Sequence, residues 1–133
     1  MNLLLVDDSR TMRNIQKNVL KTIGDHTITE AGDGMEALTA IAASSAPFDL
    51  MLFDWNMPNM DGLTLVKRVR EKDKTTPIIM VTTEAEKERI IEAIKAGVNN
   101  YVIKPFTPDS LLERVRTTMD KVRGAAAAAP VAA

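Results

Sequence analysis

Residues 50–54 read LMLFD, a short apolar run that ends at the carboxylate of Asp54. Continuous apolar runs of this length are typical of strands that are covered on both faces, as in a parallel sheet. Three other runs end in the same way, each at a polar side chain: residues 3–6 before Asp7 and Asp8, residues 78–81 before Thr82, and residues 101–103 before Lys104. Because the carboxyl ends of parallel strands share one edge, these polar groups are expected to meet.

The segments between these runs carry apolar residues at three- and four-residue spacing, which indicates helices. Asp33 and Asp61 each precede a glycine and a helical pattern, and Thr107 precedes Pro108, so all three are predicted N-caps. A weaker strand is predicted at residues 27–31. Strands that alternate with helices predict one (βα)5 domain of the α/β class, a doubly wound parallel five-stranded sheet covered by helices on both faces.

This domain is predicted to span residues 1–123, and residues 124–133 are interpreted as an alanine-rich flexible tail. Gly124 and Pro130 are expected to interrupt any helix there. At 133 residues the chain is long enough to bury one sizeable core, and nothing indicates a second domain.

The composition excludes several classes of protein. A net charge of −1 with no basic block gives no electrostatic footprint for nucleic acid. The absence of cysteine excludes disulfides and thiolate metal sites. No apolar run is long enough for a signal peptide or a membrane span, so we expect a cytoplasmic protein without membrane insertion.

The predicted sheet edge has a distinctive chemistry. Two carboxylates about 4 Å apart repel each other by roughly 4 kcal/mol at an effective dielectric constant of 20, so a cluster of Asp7, Asp8 and Asp54 is unfavourable unless protons or a cation intervene. Oxygen ligands of this kind suit Mg²⁺. With the charge of Lys104 added, the site could accept a phosphoryl group, and a carboxylate there could attack phosphorus to form an aspartyl phosphate.

The sequence resembles the response-regulator receiver domains of two-component signalling over residues 2–123. Motifs in a fixed order carry the resemblance: Asp7-Asp8, Asp54 with Asn56-Met57-Pro58, Asp61-Gly62, Thr82, Tyr101, and Lys104-Pro105-Phe106. Within this family the chain is most similar to the stand-alone chemotaxis regulators. The resemblance implies a flavodoxin-like sheet with the strand order 2-1-3-4-5.

The resemblance also implies roles for the residues at the sheet edge. Asp54 would be the phosphoacceptor, phosphorylated by a CheA-like histidine kinase. Asp7, Asp8, Asp54 and the backbone carbonyl of Asn56 would hold Mg²⁺. Thr82 and Lys104 would bind the phosphoryl oxygens, and the Lys104-Pro105 peptide bond would be cis.

The implied output is a protein contact made by a monomer, and the implied target is the flagellar motor switch protein. Inward movement of Thr82 would let Tyr101 turn inward and reshape an output face of six residues. That face comprises Ala85, Ile90, Tyr101, Ile103, Thr107 and Arg114. Such a regulator is not an enzyme beyond its own phosphorylation and dephosphorylation.

Two alternatives stay open at this point. The chain could be a phosphorelay shuttle, or a receiver domain cut from a larger regulator near residue 124. It could also be a small phosphatase of the haloacid dehalogenase type, because Asp54-Trp55-Asn56 partly matches the Asp-x-Asp nucleophile motif of that class. The second aspartate of that motif is an asparagine here, and no segment is large enough for a cap domain.

Overall fold

The computed structural model describes residues 1–128, with side chains described as far as Val122. Five strands alternate with five helices: β1 Asn2–Val6, α1 Arg10–Lys21, β2 Thr27–Ala31, α2 Gly34–Ala43, β3 Leu50–Phe53, α3 Gly62–Arg70, β4 Ile78–Thr82, α4 Lys87–Ala96, β5 Asn100–Ile103 and α5 Pro108–Ala128. The sheet is parallel throughout and has the order β2-β1-β3-β4-β5. The predicted α/β class, (βα)5 pattern and strand order are therefore confirmed.

The strands β1, β3 and β4 are buried on both faces, which explains their continuous apolar sequences, whereas β2 at the edge of the sheet is largely accessible. On one face, alternate residues such as Leu4, Phe53 and Met80 pack against α2, α3 and α4. On the other face, Leu5 and Val81 belong to a second core with α1 and α5. Because full burial of one such side chain contributes roughly 1.5–3 kcal/mol, these two layers hold the strand ends in place.

The sheet order determines which strand ends become neighbours. In the register of the sheet, Val6 at the end of β1 lies beside Phe53 at the end of β3. The Asp54 amide extends this pairing by donating to the Val6 carbonyl at 2.8 Å. The residues that follow these two strands therefore emerge side by side.

The predicted helix caps are present. The carboxylates of Asp33 and Asp61 each accept a backbone hydrogen bond at 2.8 Å in the first turn of α2 and α3. The Thr107 hydroxyl accepts from the Ser110 amide at 3.1 Å at the start of α5. Gly97 ends α4 with a φ of 118°, a conformation that favours glycine.

One predicted boundary differs from the structure. The tail was expected to begin at residue 124, but α5 continues to Ala128. A single glycine costs a helix only about 1 kcal/mol relative to alanine, and the alanines that follow are the best helix formers. The rest of the predicted tail, residues 129–133, lies outside the described residues.

No helix within residues 1–128 combines the length and the hydropathy needed to cross a membrane.

Candidate functional site

Three aspartates converge at the carboxyl edge of the sheet. Asp7, Asp8 and Asp54 each offer a carboxylate oxygen, and these oxygens lie within 4.8 Å of one another. Asp7 and Asp54 are buried, with 1% and 7% of their surface exposed, whereas Asp8 is exposed. The structure thus forms a carboxylate cluster, open to solvent on the Asp8 side, from loops that are distant in sequence.

Lys104 reaches this carboxylate cluster from the end of β5. Its ammonium lies 2.8 Å from an Asp7 oxygen and 3.3 Å from an Asp54 oxygen. The Lys104 amide donates to the Thr82 carbonyl at 2.8 Å, which keeps the ends of β4 and β5 together. The Lys104-Pro105 peptide bond is cis, as predicted.

Burial and the neighbouring charges of the carboxylate cluster shift the pKa of Asp54. Burial raises the pKa of the Asp54 carboxyl, and the charge of Asp7 raises it further, whereas Lys104 lowers it. The net direction is upward, so the ionised form of Asp54 is less favourable here than in water. A further cation beside the three carboxylates would relieve this cost.

The loop after Asp54 folds tightly against the end of β3. The Trp55 amide donates to the Asp54 carboxylate at 2.7 Å, and the Gly62 amide donates to the Trp55 carbonyl at 2.7 Å. A Cβ atom at Gly62 would lie 2.1 Å from the Asp54 carbonyl oxygen. Position 62 therefore requires glycine because of this close approach of two backbone segments.

The turn that carries Asp7 and Asp8 is held by its own neighbours. The Ser9 amide donates to the Asp7 carboxylate at 2.8 Å, and the Ser9 hydroxyl caps α1. The Arg13 guanidinium donates to the Asp7 carbonyl and also to Glu30 on β2. Arg13 was not predicted as a site residue, because a bond from a side chain to a backbone carbonyl leaves no sequence pattern.

Thr82 and Tyr101 share a partner in the β4–α4 loop. Thr82 is fully buried, and its hydroxyl accepts from the Glu84 amide at 3.3 Å. The Tyr101 hydroxyl donates to the Glu84 carbonyl at 2.7 Å, and its ring is only 8% exposed. Tyr101 is thus turned inward, and Thr82 is directed toward the backbone of Glu84.

Burial, with a smaller contribution from Glu84, raises the pKa of Tyr101 to about 12. Glu84 also contacts the loop after Asp54, because the Asn56 side-chain amide donates to its carboxylate at 3.3 Å. Glu84 therefore links the predicted switch residue Tyr101 to the loop with the predicted metal ligand. Glu84 was not predicted as a site residue from the sequence.

The predicted output face is mostly accessible. Ile90 is half-buried and packs against the core, while the other residues around Tyr101 are exposed: Ala85, Ile103, Thr107 and Arg114. Arg114 donates to the Asn100 side chain at 3.1 Å. A further contact not predicted from sequence lies between this region and the site, where the Arg89 guanidinium stands 5.5 Å from the centre of the Trp55 ring.

Comparison with known proteins agrees with this geometry. Residues 3–116 match the response regulator receiver domain family. The chemotaxis protein CheY1 of Helicobacter pylori is 50% identical over 121 residues, which cover 90% of this chain and 97% of that protein. The chemotaxis protein CheY of Pseudomonas aeruginosa is 46% identical over 126 residues, covering 93% of this chain and all of that protein.

Solved structures have the same fold. A CheY-like receiver domain protein from Methanospirillum hungatei superposes with a TM-score of 0.83 at 29% identity, covering 92% of this chain and 96% of that one. CheY4 of Vibrio cholerae, crystallised at low pH, gives 0.80 at 36% identity, with 88% and 97% covered. The chain belongs to the response regulator receiver domain family, whose members are signalling regulators.

Proposed function

We propose that this protein is a phosphorylation-activated response regulator of chemotaxis that accepts a phosphoryl group on Asp54 from a histidine kinase. One observation carries the proposal. The buried Asp54 carboxylate lies beside two more carboxylates and the Lys104 ammonium at the carboxyl edge of the sheet. The family and its chemotaxis relatives support the same class of function.

The donor set fits Mg²⁺. Asp7, Asp8 and Asp54 offer oxygen atoms within 4.8 Å of one another, and Asp8 leaves the site open to water. Hard divalent ions such as Mg²⁺ prefer oxygen ligands and retain several waters, which suits an open site of this kind. Bound Mg²⁺ would neutralise the carboxylates and the oxygens of an incoming phosphoryl group. The Asn56 carbonyl completes the proposed ligand set.

In the proposed reaction, an Asp54 oxygen forms a bond to phosphorus while the bond from phosphorus to the kinase histidine breaks. The departing imidazole keeps the electron pair and takes up a proton from water. Lys104 is held at 2.8 Å by Asp7 and would turn toward a phosphoryl oxygen. The Thr82 hydroxyl would exchange its bond from the Glu84 amide for a bond to a second phosphoryl oxygen.

This exchange supplies the switch in the proposal. A phosphoryl group shifts a two-state equilibrium only if it interacts more favourably with one state. Movement of Thr82 would free the Glu84 backbone, which also holds the Tyr101 hydroxyl at 2.7 Å. Phosphorylation would therefore change the β4–α4 loop and the output face around Tyr101.

The proposed partners are a CheA-like histidine kinase and the flagellar motor switch protein, with the regulator acting as a cytoplasmic monomer. The relatives named as chemotaxis proteins motivate this choice. Arg114 and Ile103 lie exposed on the output face, available to a protein target.

The phosphoacceptor is tested by supplying a small acyl phosphate with Mg²⁺ and measuring intact mass. Wild type should gain one phosphoryl group, and Asp54→Asn should gain none. Equal uptake by both proteins would remove Asp54 from its role. Rapid multiple turnover of an ordinary phosphate ester would favour a phosphatase instead.

The target is tested by measuring binding of purified motor switch protein to phosphorylated and unphosphorylated regulator. Arg114→Gln should weaken binding, whereas Arg116→Gln should not. Arg116 is a matched control because it lies on the same helix but borders the groove toward α1 with Ile23. Equal binding by both phosphorylation states would rule out this target.

A further inference from the structure

A hydrogen bond joins two loops at the carboxyl edge of the sheet. The Asn59 side-chain amide donates to an Asp33 oxygen at 2.8 Å. Asn59 belongs to the loop after Asp54, and Asp33 is the N-cap of α2. The chain separates these residues by 26 positions, so the bond ties together two elements that only the fold brings close.

Asp33 makes this contact with a fixed side chain. One carboxylate oxygen accepts from the Glu36 amide at 2.8 Å as the cap of α2, and the other accepts from Asn59. These hydrogen bonds, that from Glu36 first, lower the pKa of Asp33. The cap of α2 therefore fixes the orientation of the Asp33 carboxylate that contacts the loop.

The loop has a conformation that needs such support. Asn59 has a φ of 68°, the left-handed region that few residues other than glycine adopt readily. The next residue makes a tight turn, in which the Met60 amide donates to the Pro58 carbonyl at 2.7 Å. Met60 then packs against Gly34, where an added Cβ would lie 2.8 Å from the Met60 Cβ.

The same loop is anchored on its other side. Asn56 donates to Glu84 at 3.3 Å, and the base of the loop is closed by the bond from Gly62 to Trp55. The Asn56 contact is exposed and longer than the Asn59 contact, so Asp33 provides the firmer anchor of the two. Residues 55–61 are thereby held by hydrogen bonds to the N-cap of α2 on one side and to the β4–α4 loop on the other.

We infer that Asp33 is a positioning residue for the metal site: by holding Asn59, it fixes the loop that presents Asn56 to the carboxylate cluster. This inference rests on the proposed function, because Asn56 is the proposed backbone ligand. Residues that orient metal ligands typically change metal affinity about 10–100-fold when they are removed. Asp33 touches neither the proposed ion nor the phosphoryl group, so its effect would pass through Asn59.

The test exchanges the two side chains. D33N keeps an oxygen to cap α2 but replaces the charged acceptor of Asn59 by an amide, so that only a weaker neutral hydrogen bond can form between the two side chains. N59D turns a carboxylate toward the Asp33 carboxylate and keeps a residue type that tolerates the left-handed region. The double variant D33N/N59D restores one amide and one carboxylate with the donor and acceptor reversed, at unchanged net charge. N59G removes the side chain without adding charge or straining the backbone.

Trp55 fluorescence should report Mg²⁺ binding, because this residue adjoins Asp54 and is the only tryptophan. Each single variant, including N59G, should raise the Mg²⁺ midpoint about tenfold. The double variant D33N/N59D should return to within about twofold of wild type, since coupled residues show non-additive effects. Hydrogen exchange of the loop amides in metal-free protein should be faster in the single variants and return toward wild type in the exchanged pair.

The outcomes separate this inference from the function on which it rests. Wild-type midpoints in all single variants, or no recovery in the exchanged pair, would overturn the positioning role and leave phosphoacceptance intact. Failure of wild type to bind Mg²⁺ would overturn both the proposed metal site and the role of Asp33. Urea unfolding confirms that each variant is folded, and if D33N or N59D does not fold, the comparison of N59G with wild type carries the test.

Discussion

The Lys104 ammonium is paired with Asp7 at 2.8 Å, and both side chains are largely buried, with 12% and 1% of the side chain exposed. The cation proposed for the phosphoryl group is thus already engaged in the unphosphorylated protein. It compensates part of the repulsion within the carboxylate cluster. A phosphoryl group must therefore draw Lys104 away from Asp7.

Replacing this cation should destabilise the fold. Lys104→Gln leaves the buried Asp7 carboxylate without its charged partner, and breaking a buried pair costs about 3 kcal/mol. Urea unfolding at neutral pH measures the loss, and Mg²⁺ should recover part of it. Lys17→Gln is the control, because its pair with Glu30 is more exposed and should be worth less than about 1 kcal/mol. Equal effects of the two substitutions would contradict the buried role of Lys104.

The ionised Asp54 carboxylate should lower the free energy of unfolding at neutral pH. Burial raises its pKa in the folded state, so the folded protein binds this proton more tightly than the unfolded chain. The free energy of unfolding linked to Asp54 therefore falls as the pH rises from the ordinary carboxyl pKa through the raised one.

Asp54→Asn removes this charge and keeps an oxygen for the Trp55 amide. We expect the free energy of unfolding at neutral pH to increase by about 1 kcal/mol, the size seen when a strained site is relieved. The gain should shrink as the pH falls through the raised folded pKa and vanish below about pH 4, the ordinary range of an unfolded aspartate. The exposed Asp25→Asn serves as the control. A gain that is independent of pH would argue against a charge effect.

Mg²⁺ should stabilise the wild-type protein and not a protein that lacks Asp8. At ten times the dissociation constant, a ligand of the folded state adds about 1.4 kcal/mol. Because Asp8 is exposed, Asp8→Asn should leave the metal-free stability nearly unchanged and abolish this gain. Thermal unfolding with and without Mg²⁺ measures both quantities. Glu71→Gln, an exposed carboxylate after α3, should retain the full response.

Tyr101 should titrate far above the ordinary range of a phenol. It is the only tyrosine, so the ultraviolet absorbance of phenolate reports it alone. Its pKa of about 12 in the folded protein should fall to about 10 in urea. The raised pKa of Tyr101 also contributes to the free energy of unfolding. This contribution is fully present below the pKa of Tyr101 in the unfolded chain, and it is lost as the pH rises through its pKa in the folded protein.

Glu84→Gln should lower the folded pKa of Tyr101, because the charge of Glu84 is the second cause of the shift. Glu88→Gln, on the exposed part of α4, is the matched control. A midpoint near 10 in the folded wild type would show that Tyr101 is accessible to water and not turned inward.

Gly62→Ala should be among the most damaging small substitutions in the chain. Its Cβ would lie 2.1 Å from the Asp54 carbonyl oxygen, so the backbone around Asp54 must shift. Overpacking of this kind costs about 3 kcal/mol. Gly32→Ala is the control, since its Cβ would meet only the mobile end of Glu36 at 3.3 Å. Similar unfolding midpoints for the two variants would exclude the close approach at Gly62.

The sequence predicted the strand ends well because their signal is local. Continuous apolar runs mark buried strands, and the polar residue after each run marks the edge where Asp7, Asp54 and Lys104 meet. The order of the strands is not a local property. It came from the resemblance to a known family, and the structure confirms it.

Apart from the helix caps, hydrogen bonds that side chains make outside regular secondary structure were not predictable. The bonds of Arg13 to Asp7, of Tyr101 to Glu84 and of Asn59 to Asp33 each depend on how two loops lie in space. Arg13, Glu84 and Asn59 are ordinary surface residue types, so nothing in the sequence separates them from solvated neighbours. The predicted end of α5 was wrong for a different reason. The prediction gave more weight to one glycine than to the alanines around it.

Lys104 and Asp7 are 97 positions apart, yet they form an ion pair within the site. A ribosome-bound chain that has emerged only through β3 would present Asp54 without its lysine. In the proposed function, phosphoryl transfer to Asp54 would therefore require a chain that has been synthesised at least through β5, so that Lys104 can join the site.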